Sequence, residues 1–314
     1  MRLLGLGFLL LLQSATSLGT PTSFYAYCTA ENLSQPEIDT ISSIMIKVKV
    51  WADRTENNCR IAAEILADYE ELILWQNPTE TPRPVIHDLR PVAVMRNIKR
   101  LSLAGHGISN LSPLAKMPQL EWLNLSNNQI SDLSPLAALT HLKEIHLWHN
   151  HVSDLSPLGT MVELESLNIA ENNVADIAVV RNFPQLDWLN AVSNQIENLA
   201  PLANHGNLLG LLLSNNRVHD LGPLAKLATL ERLDLQENNI TDIAPLHDLK
   251  KLRVLDIRNN KISELGDGEN FRDMRWLYIA GNKISEIPES FLQWQREHVD
   301  SRGSKIKLRL ERER

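Results

Sequence analysis

From Ile98 onward the apolar positions of the chain fall into one frame that repeats every 22 residues. Each copy reads approximately L-x-x-L-x-L-x-x-N-x-I-x-x-L-x-P-L, starting at Ile98, Leu120, Leu142, Leu164, Leu186, Leu208, Leu230, Leu252 and Met274. In L-x-x-L-x-L the apolar residues at positions four and six alternate with polar ones, which is the period of a short strand with one buried face. Position nine is His106 once and then Asn128, Asn150, Asn172, Asn194, Asn216, Asn238, Asn260 and Asn282. Downstream, Ser112-Pro113, Ser134-Pro135 and Ser156-Pro157 open a second element. Ser as cap and Pro as first helical residue predict a 3₁₀ or one-turn helix, since the unit has no room for a longer one. Nine copies without a slip are a true internal repeat. In such a repeat each unit covers its neighbour's apolar face and the strands pair into a parallel sheet.

The motif resembles the leucine-rich repeat family, in its short class typified by bacterial internalins, over residues 71 to 292. The resemblance implies an α/β solenoid: a horseshoe or arc with a parallel concave sheet and 3₁₀ or one-turn helices on the convex side. The Asn at position nine is read as turning the chain while its amide bonds the backbone of adjoining loops. Stacked, Asn128, Asn150, Asn172, Asn194, Asn216, Asn238, Asn260 and Asn282 form a structural ladder of satisfied amides. His106 takes the same place at the start of the ladder. A further unit precedes the nine, with Leu72, Leu74 and Asn77 before a Pro-rich insertion (78–84) and Ile86, Leu89 and Pro91 after it. The organisation expected is a signal peptide (1–17), an N-terminal helical cap (18–68), about ten repeats (69–292) and a C-terminal cap or tail (293–314). In that tail Ile306, Leu308 and Leu310 alternate, which suits either an added edge strand or a frayed end.

Composition agrees with that assignment. Leu accounts for 53 residues and Asn for 27, and these are the two residue types the repeat consumes. A net charge of −7 and a pI near 5.8 exclude a basic nucleic-acid binder. Arg2, the apolar run Leu3–Leu12 and the small residues Ser14-Ala15-Thr16-Ser17 read as a cleaved secretory signal, too short to span a bilayer. The location expected is therefore secreted, periplasmic or cell-surface, with no membrane span after cleavage. Export permits a disulfide, and Cys28–Cys59 is favoured over two buried free thiols.

Residues between the Leu positions of each strand point to the concave side, where leucine-rich repeat proteins usually bind partners. The candidate partner-binding residues are Trp122, Glu144, His146, Trp148, Trp188, Leu212, Asp234, Arg258, Trp276 and Tyr278. Trp leads among residues at binding hot spots, and the repeat pattern gives these indoles no core role. Trp51, Trp75 and Trp294 lie in or near the caps and are read as packing. His146, His149 and His151 flank Trp148, but solvated or partner-contacting imidazoles are favoured over a zinc site. Asp234 and Asp256 share a position in adjacent repeats, a spacing that suits glycoside hydrolysis, yet Arg232, Arg253 and Arg258 surround them. No catalytic residue, metal or cofactor is assigned. Ten strands span an inner arc of roughly 43 Å, long for a small metabolite and suited to a protein. The expected function is a secreted, non-enzymatic, monomeric protein that binds a protein partner through its concave sheet. Two alternatives are an intracellular phosphatase-regulating scaffold of the same repeat class and a carbohydrate-binding or carbohydrate-active surface built on Trp and Asp234/Asp256.

Overall fold

The computed structural model describes residues 21–75, 84–267, 274–290, 292–293 and 307–309. The expected signal (1–17), Asn77, insertion residues 78–83 and Trp294 lie outside the described residues.

The N-terminal cap is three helices. In α1 (Phe24–Thr29) the Ser23 hydroxyl accepts from the Ala26 N–H at 3.1 Å. In α2 (Gln35–Lys47) the Glu37 carboxylate accepts from the Ser34 N–H at 2.8 Å, and Pro36 supplies the fixed φ of the first turn. In α3 (Glu56–Ala67) the Thr55 hydroxyl accepts from the Asn58 N–H at 3.3 Å. The stretch after Glu37 is thus two helices with a tight turn between them, where Lys49 and Arg54 have φ of 61° and 55°. The Arg54 guanidinium closes that turn by donating to the carbonyls of Cys28 and Ala30. Cys28 and Cys59 are fully buried and bridged, with their Cα atoms 5.5 Å apart. The cap docks on the first repeat through Thr40, whose hydroxyl donates to the Asp88 carbonyl at 2.9 Å, and through Ser43, which donates to that of Pro84 at 2.8 Å.

Among the described residues eleven three-residue strands follow in one parallel sheet, each paired with its sequence neighbours. They are β1 (Glu71–Ile73), β2 (Arg100–Ser102), β3 (Trp122–Asn124), β4 (Glu144–His146), β5 (Ser166–Asn168), β6 (Trp188–Asn190), β7 (Gly210–Leu212), β8 (Arg232–Asp234), β9 (Val254–Asp256), β10 (Trp276–Tyr278) and β11 (Lys307–Arg309). The register is exact from copy to copy, so that Leu101, Leu123, Ile145, Leu167, Leu189, Leu211, Leu233, Leu255 and Leu277 form one row of fully buried side chains. The tail supplies β11, which settles its two readings in favour of the added strand. No helix among the described residues is long and apolar enough to cross a membrane.

On the other side, among the described residues, run seven 3₁₀ segments, from Ser112–Lys116 to Ala244–Leu246. Their cap is not the expected Ser. Ser112, Ser134 and Ser156 are the first residues of their segments, and the side chain two residues earlier holds each backbone N–H. The Oδ1 atoms of Asn110, Asp132, Asp154, Asp176, Asn198, Asp220 and Asp242 accept from these N–H groups at 2.7–3.0 Å. The fourth repeat shows that this Asx residue, rather than Pro, defines the turn: Ala178-Val179-Val180 lacks Pro, yet Asp176 caps a segment of the same kind there.

The ladder also differs in detail. The chain turns at position eight, not at the Asn of position nine: Asn127, His149, Glu171, Ser193, Asn215, Glu237 and Asn259 all have φ between 53° and 56°. The following Asn stitches repeats together. Its Oδ1 accepts from position eleven of the preceding repeat, and its Nδ2 donates to carbonyls of both repeats. Six ladder residues are buried, whereas Asn194 and Asn282 are half-buried. His106 reproduces the ladder with two ring nitrogens. Nδ1 accepts from the Ile86 N–H at 3.2 Å, so Nε2 carries the proton and donates to the Leu74 carbonyl. Burial holds this imidazole below the usual histidine range, against the upward pull of the Leu74 bond. A depressed folded value means that the unfolded chain gains a proton that the fold refuses as pH falls below about 6.5. Stability contributed here is complete above that pH and is lost on acidification. The variant His106→Asn, which keeps both ladder bonds without titrating, is expected to show a smaller drop in urea midpoint between pH 7.5 and 5 than the parent.

Candidate binding face

Strand positions three and five face away from the core, because position four between them is fully buried. The paired strands lay these residues out as two rows. Along position three run Arg100, Trp122, Glu144, Ser166, Trp188, Gly210, Arg232, Val254 and Trp276. Along position five run Ser102, Asn124, His146, Asn168, Asn190, Leu212, Asp234, Asp256 and Tyr278.

The candidates gather into two clusters. The first spans β2 to β5. The Arg100 guanidinium lies 4.7 Å from the Trp122 ring centre, and the His146 ring is 5.6 Å from that indole. His146 Nε2 meets the Glu144 carboxylate at 2.6 Å, and His149 Nδ1 meets that of Glu171 at 2.8 Å. Trp148, 41% exposed, stands beside His149 at 5.6 Å. Among the described residues no three metal-ligating side chains converge.

The second cluster spans β8 to β10. Arg258 grips Asp256 through Nε at 3.0 Å and Nη2 at 2.6 Å, reaches the Gln236 side chain at 2.8 Å, and lies 5.2 Å over the Tyr278 ring. Trp276, 38% exposed, is stacked on Tyr278 at 6.5 Å. Burial pushes the Asp234 carboxyl up, and Asp256 adds to the rise, while Arg232 and Arg258 oppose it. Neither Asp234 nor Asp256 stands free. One is clasped by a guanidinium, and each also accepts a backbone N–H two residues on, at 3.1 Å. Asn124, Asn168 and Asn190 make the same bond, so position five ends the strand as well as facing outward. Leu212 stands half-buried on β7 between the clusters, with Leu209 (42% exposed) at the strand's edge.

Trp188 lies flat across the next strand: a Cβ on Gly210 would come within 2.3 Å of its ring. Glycine here is a requirement of close approach. Gly210→Ala is expected to lift the indole off the sheet, cost roughly 1–3 kcal/mol, and red-shift the Trp188 contribution to the emission spectrum. The cap tryptophans depart from their expected packing role. Trp51 is 82% exposed and Trp75 50% exposed, Trp51 because the Lys49–Arg54 turn buries Val48 and leaves the indole on its outer side.

Position two, at the strand edge, was not among the candidates. It carries Glu70, Lys99, Glu121, Lys143, Glu165, Asp187, Leu209, Glu231, Arg253 and Arg275 in spatial order. Pairs form along it: Lys99–Glu70 at 2.9 Å, Lys143–Glu121 at 3.4 Å and Arg253–Glu231 at 3.4 Å. Its polarity in nearly every copy was the available signal.

Stacked strands, 3₁₀ turns and an Asn ladder define the class of the fold: a leucine-rich repeat solenoid. The family described as paired leucine-rich repeats matches at 96–138, 118–160, 140–182 and 228–270. No curated protein matches the chain by sequence. In fold the chain is internalin-like. It is similar to an internalin (inlF) of Listeria monocytogenes, with 24% identity and a TM-score of 0.60, over 85% of this chain and 86% of that one. It is similar also to internalin C2 of the same organism, with 24% identity and a TM-score of 0.58, over 71% of this chain and 97% of that one. A third likeness is to the ectodomain of the receptor kinase GASSHO1/SCHENGEN3 of Arabidopsis thaliana, solved in complex with CASPARIAN STRIP INTEGRITY FACTOR 2. There the identity is 20% and the TM-score 0.62, over 71% of this chain and 28% of that one.

Proposed function

We propose that this chain is a secreted, non-enzymatic protein that binds a protein partner through its concave sheet. The observation that carries this is the placement of aromatic surface. Trp148 and Trp276 stand 41% and 38% exposed on a sheet whose own core is completed by the buried Leu row. Trp exposed on a rigid platform contributes binding energy at little cost in conformational entropy. Secretion is supported by the apolar leader at residues 3–12 and by the buried Cys28–Cys59 bridge, which calls for an oxidising compartment. The receptor ectodomain of the same fold, solved in complex with its factor, lends further support.

Two measurements test the reading. Mass spectrometry of the purified native protein should find the mature N-terminus near residue 18, and an intact Met1 in a cytosolic protein would overturn secretion. A photo-crosslinking residue at position 148, on the sheet, should capture a protein, whereas one at Val162, 54% exposed in the loop after a 3₁₀ segment, should not. Capture at 162 alone would move the site off the concave face.

A further inference from the structure

The row at position two alternates in sign from Glu70 to Glu165 and then breaks, because Asp187 follows Glu165 with another negative charge. Among the described residues neither carboxylate has an ion pair, and the nearest cation in the row, Lys143, sits on Glu121. Glu144 stands at position three of β4, in register with Ser166 and Trp188; burial, then the charges of Glu165 and Glu144, push the Asp187 carboxyl up. Three acidic groups thus meet where the row lacks its cation.

The sheet beside them is shaped as a trough. Along β5 the outward residues are Ser166 and Asn168, both short. On one side β4 raises Glu144 and His146, with Trp148 just beyond. On the other side β6 raises Trp188, whose ring leans away from β5 over Gly210 and so widens the gap. Two strand spacings separate Glu144 from Trp188, about 10 Å, enough for one extended side chain to lie between them. The same face already shows how it holds a guanidinium: Arg100 is 4.7 Å over Trp122, and Arg258 is 5.2 Å over Tyr278. Among the described residues no such cation sits over Trp188.

We infer that the trough over β5 receives an arginine or lysine side chain of the partner, stacked on Trp188 and neutralised by Glu144, Glu165 and Asp187. This rests on the concave-face reading and names its chemistry: the partner presents a basic, extended segment. Opposite charge brought to partly desolvated carboxylates supplies specificity and steers encounter, while the indole face favours a cation over a neutral group.

The probe is a short synthetic peptide of alternating arginine and serine, with glutamine–serine and glutamate–serine peptides of equal length as controls. Titration of the full chain at 0.15 M salt, followed by tryptophan emission, should show binding of the arginine peptide only. The isosteric variant Glu144→Gln/Glu165→Gln/Asp187→Asn should weaken it about tenfold or more, with its thermal midpoint checked against the parent. The variant Glu231→Gln, outside the trough, should leave the affinity unchanged. No binding of the arginine peptide, equal binding of the glutamine peptide, or equal loss in both variants would each overturn the proposal. Hydrogen-exchange footprinting separates the two levels. Protection over β4–β6 that ignores charge sinks the cation trough and spares the concave face, whereas protection confined to the 3₁₀ side sinks the concave-face reading itself.

Discussion

Asn172→Leu is expected to lower the unfolding free energy by about 3–4 kcal/mol, read as a fall in urea midpoint with unchanged slope. The size follows from which partner is orphaned. The Asn172 Oδ1 accepts from the Val152 N–H at 2.9 Å, and its Nδ2 donates to the Leu147 carbonyl at 2.9 Å and to those of Ile169 and Ala170 at 3.1 Å. The Leu147 carbonyl keeps Asn150, and that of Ile169 keeps Asn194, because each such oxygen serves two successive ladder residues. The Val152 N–H has no second acceptor in the ladder, and a leucine of nearly the same shape leaves no room for water. One buried orphan donor and several lost bonds make up the cost. Asn282→Leu should cost less than half as much, since that side chain is half-buried and solvent can replace it. Asn172→Asp discriminates further. It preserves the acceptor for Val152 but turns a second oxygen onto three carbonyls, so the carboxyl is held protonated and its folded pKa rises. A raised carboxyl value means stability missing at neutral pH and recovered as pH falls, the opposite sign to His106. Equal midpoints for parent and Asn172→Leu would show that the ladder does not hold the repeats together.

The strand face was legible in the sequence because its cause is local and repeated. An apolar residue at four and six in nine registers, mostly Leu, has no other use, and the structure buries both rows. The same regularity hid as much as it showed. Asx at position thirteen recurs from Asn110 to Asp242, yet Ser-Pro two residues later looked like the cap, and only the fourth repeat, which lacks Pro, separates the two. The left-handed turn at position eight is masked by His149, Glu171 and Glu237, residues that do not favour positive φ and are held there by the repeats on either side. Of the candidate residues, Trp122, Glu144, His146 and Trp148 are brought together, and Arg258, Trp276 and Tyr278 form a second group. Trp188 lay readable beside a glycine at the same position of the next repeat, but what that glycine was for needed geometry. Trp51 went wrong for a different reason. An aromatic residue after a helix predicts packing by composition, and only the two left-handed residues of its turn decide which way it points.

Cys28→Ala/Cys59→Ala is expected to cost about 3–4 kcal/mol, and to spend that loss at one end of the molecule. The bridge closes a sequence separation of 31, a loop whose freedom in the unfolded chain is the main quantity it removes. It joins α1 to α3, and the other ties of α1 are Tyr25, whose hydroxyl donates to the Glu56 carboxylate at 3.3 Å, Arg54 to the carbonyls of Cys28 and Ala30, and the burial of Phe24 and Tyr27. In contrast α2 is anchored separately by Thr40 and Ser43 on the first repeat. A solenoid transmits stability only between neighbouring units, so loss of the bridge should first loosen α1 and α3, then expose Leu72 on β1, and reach β5 hardly at all. Native-state hydrogen exchange reads this directly. Amides of 24–67 should lose protection in the variant, and those of β5 to β8 should keep theirs. Uniform loss along the chain would instead mean that cap and repeats unfold as one unit, and unchanged exchange in 24–67 would mean that α2 alone secures the cap.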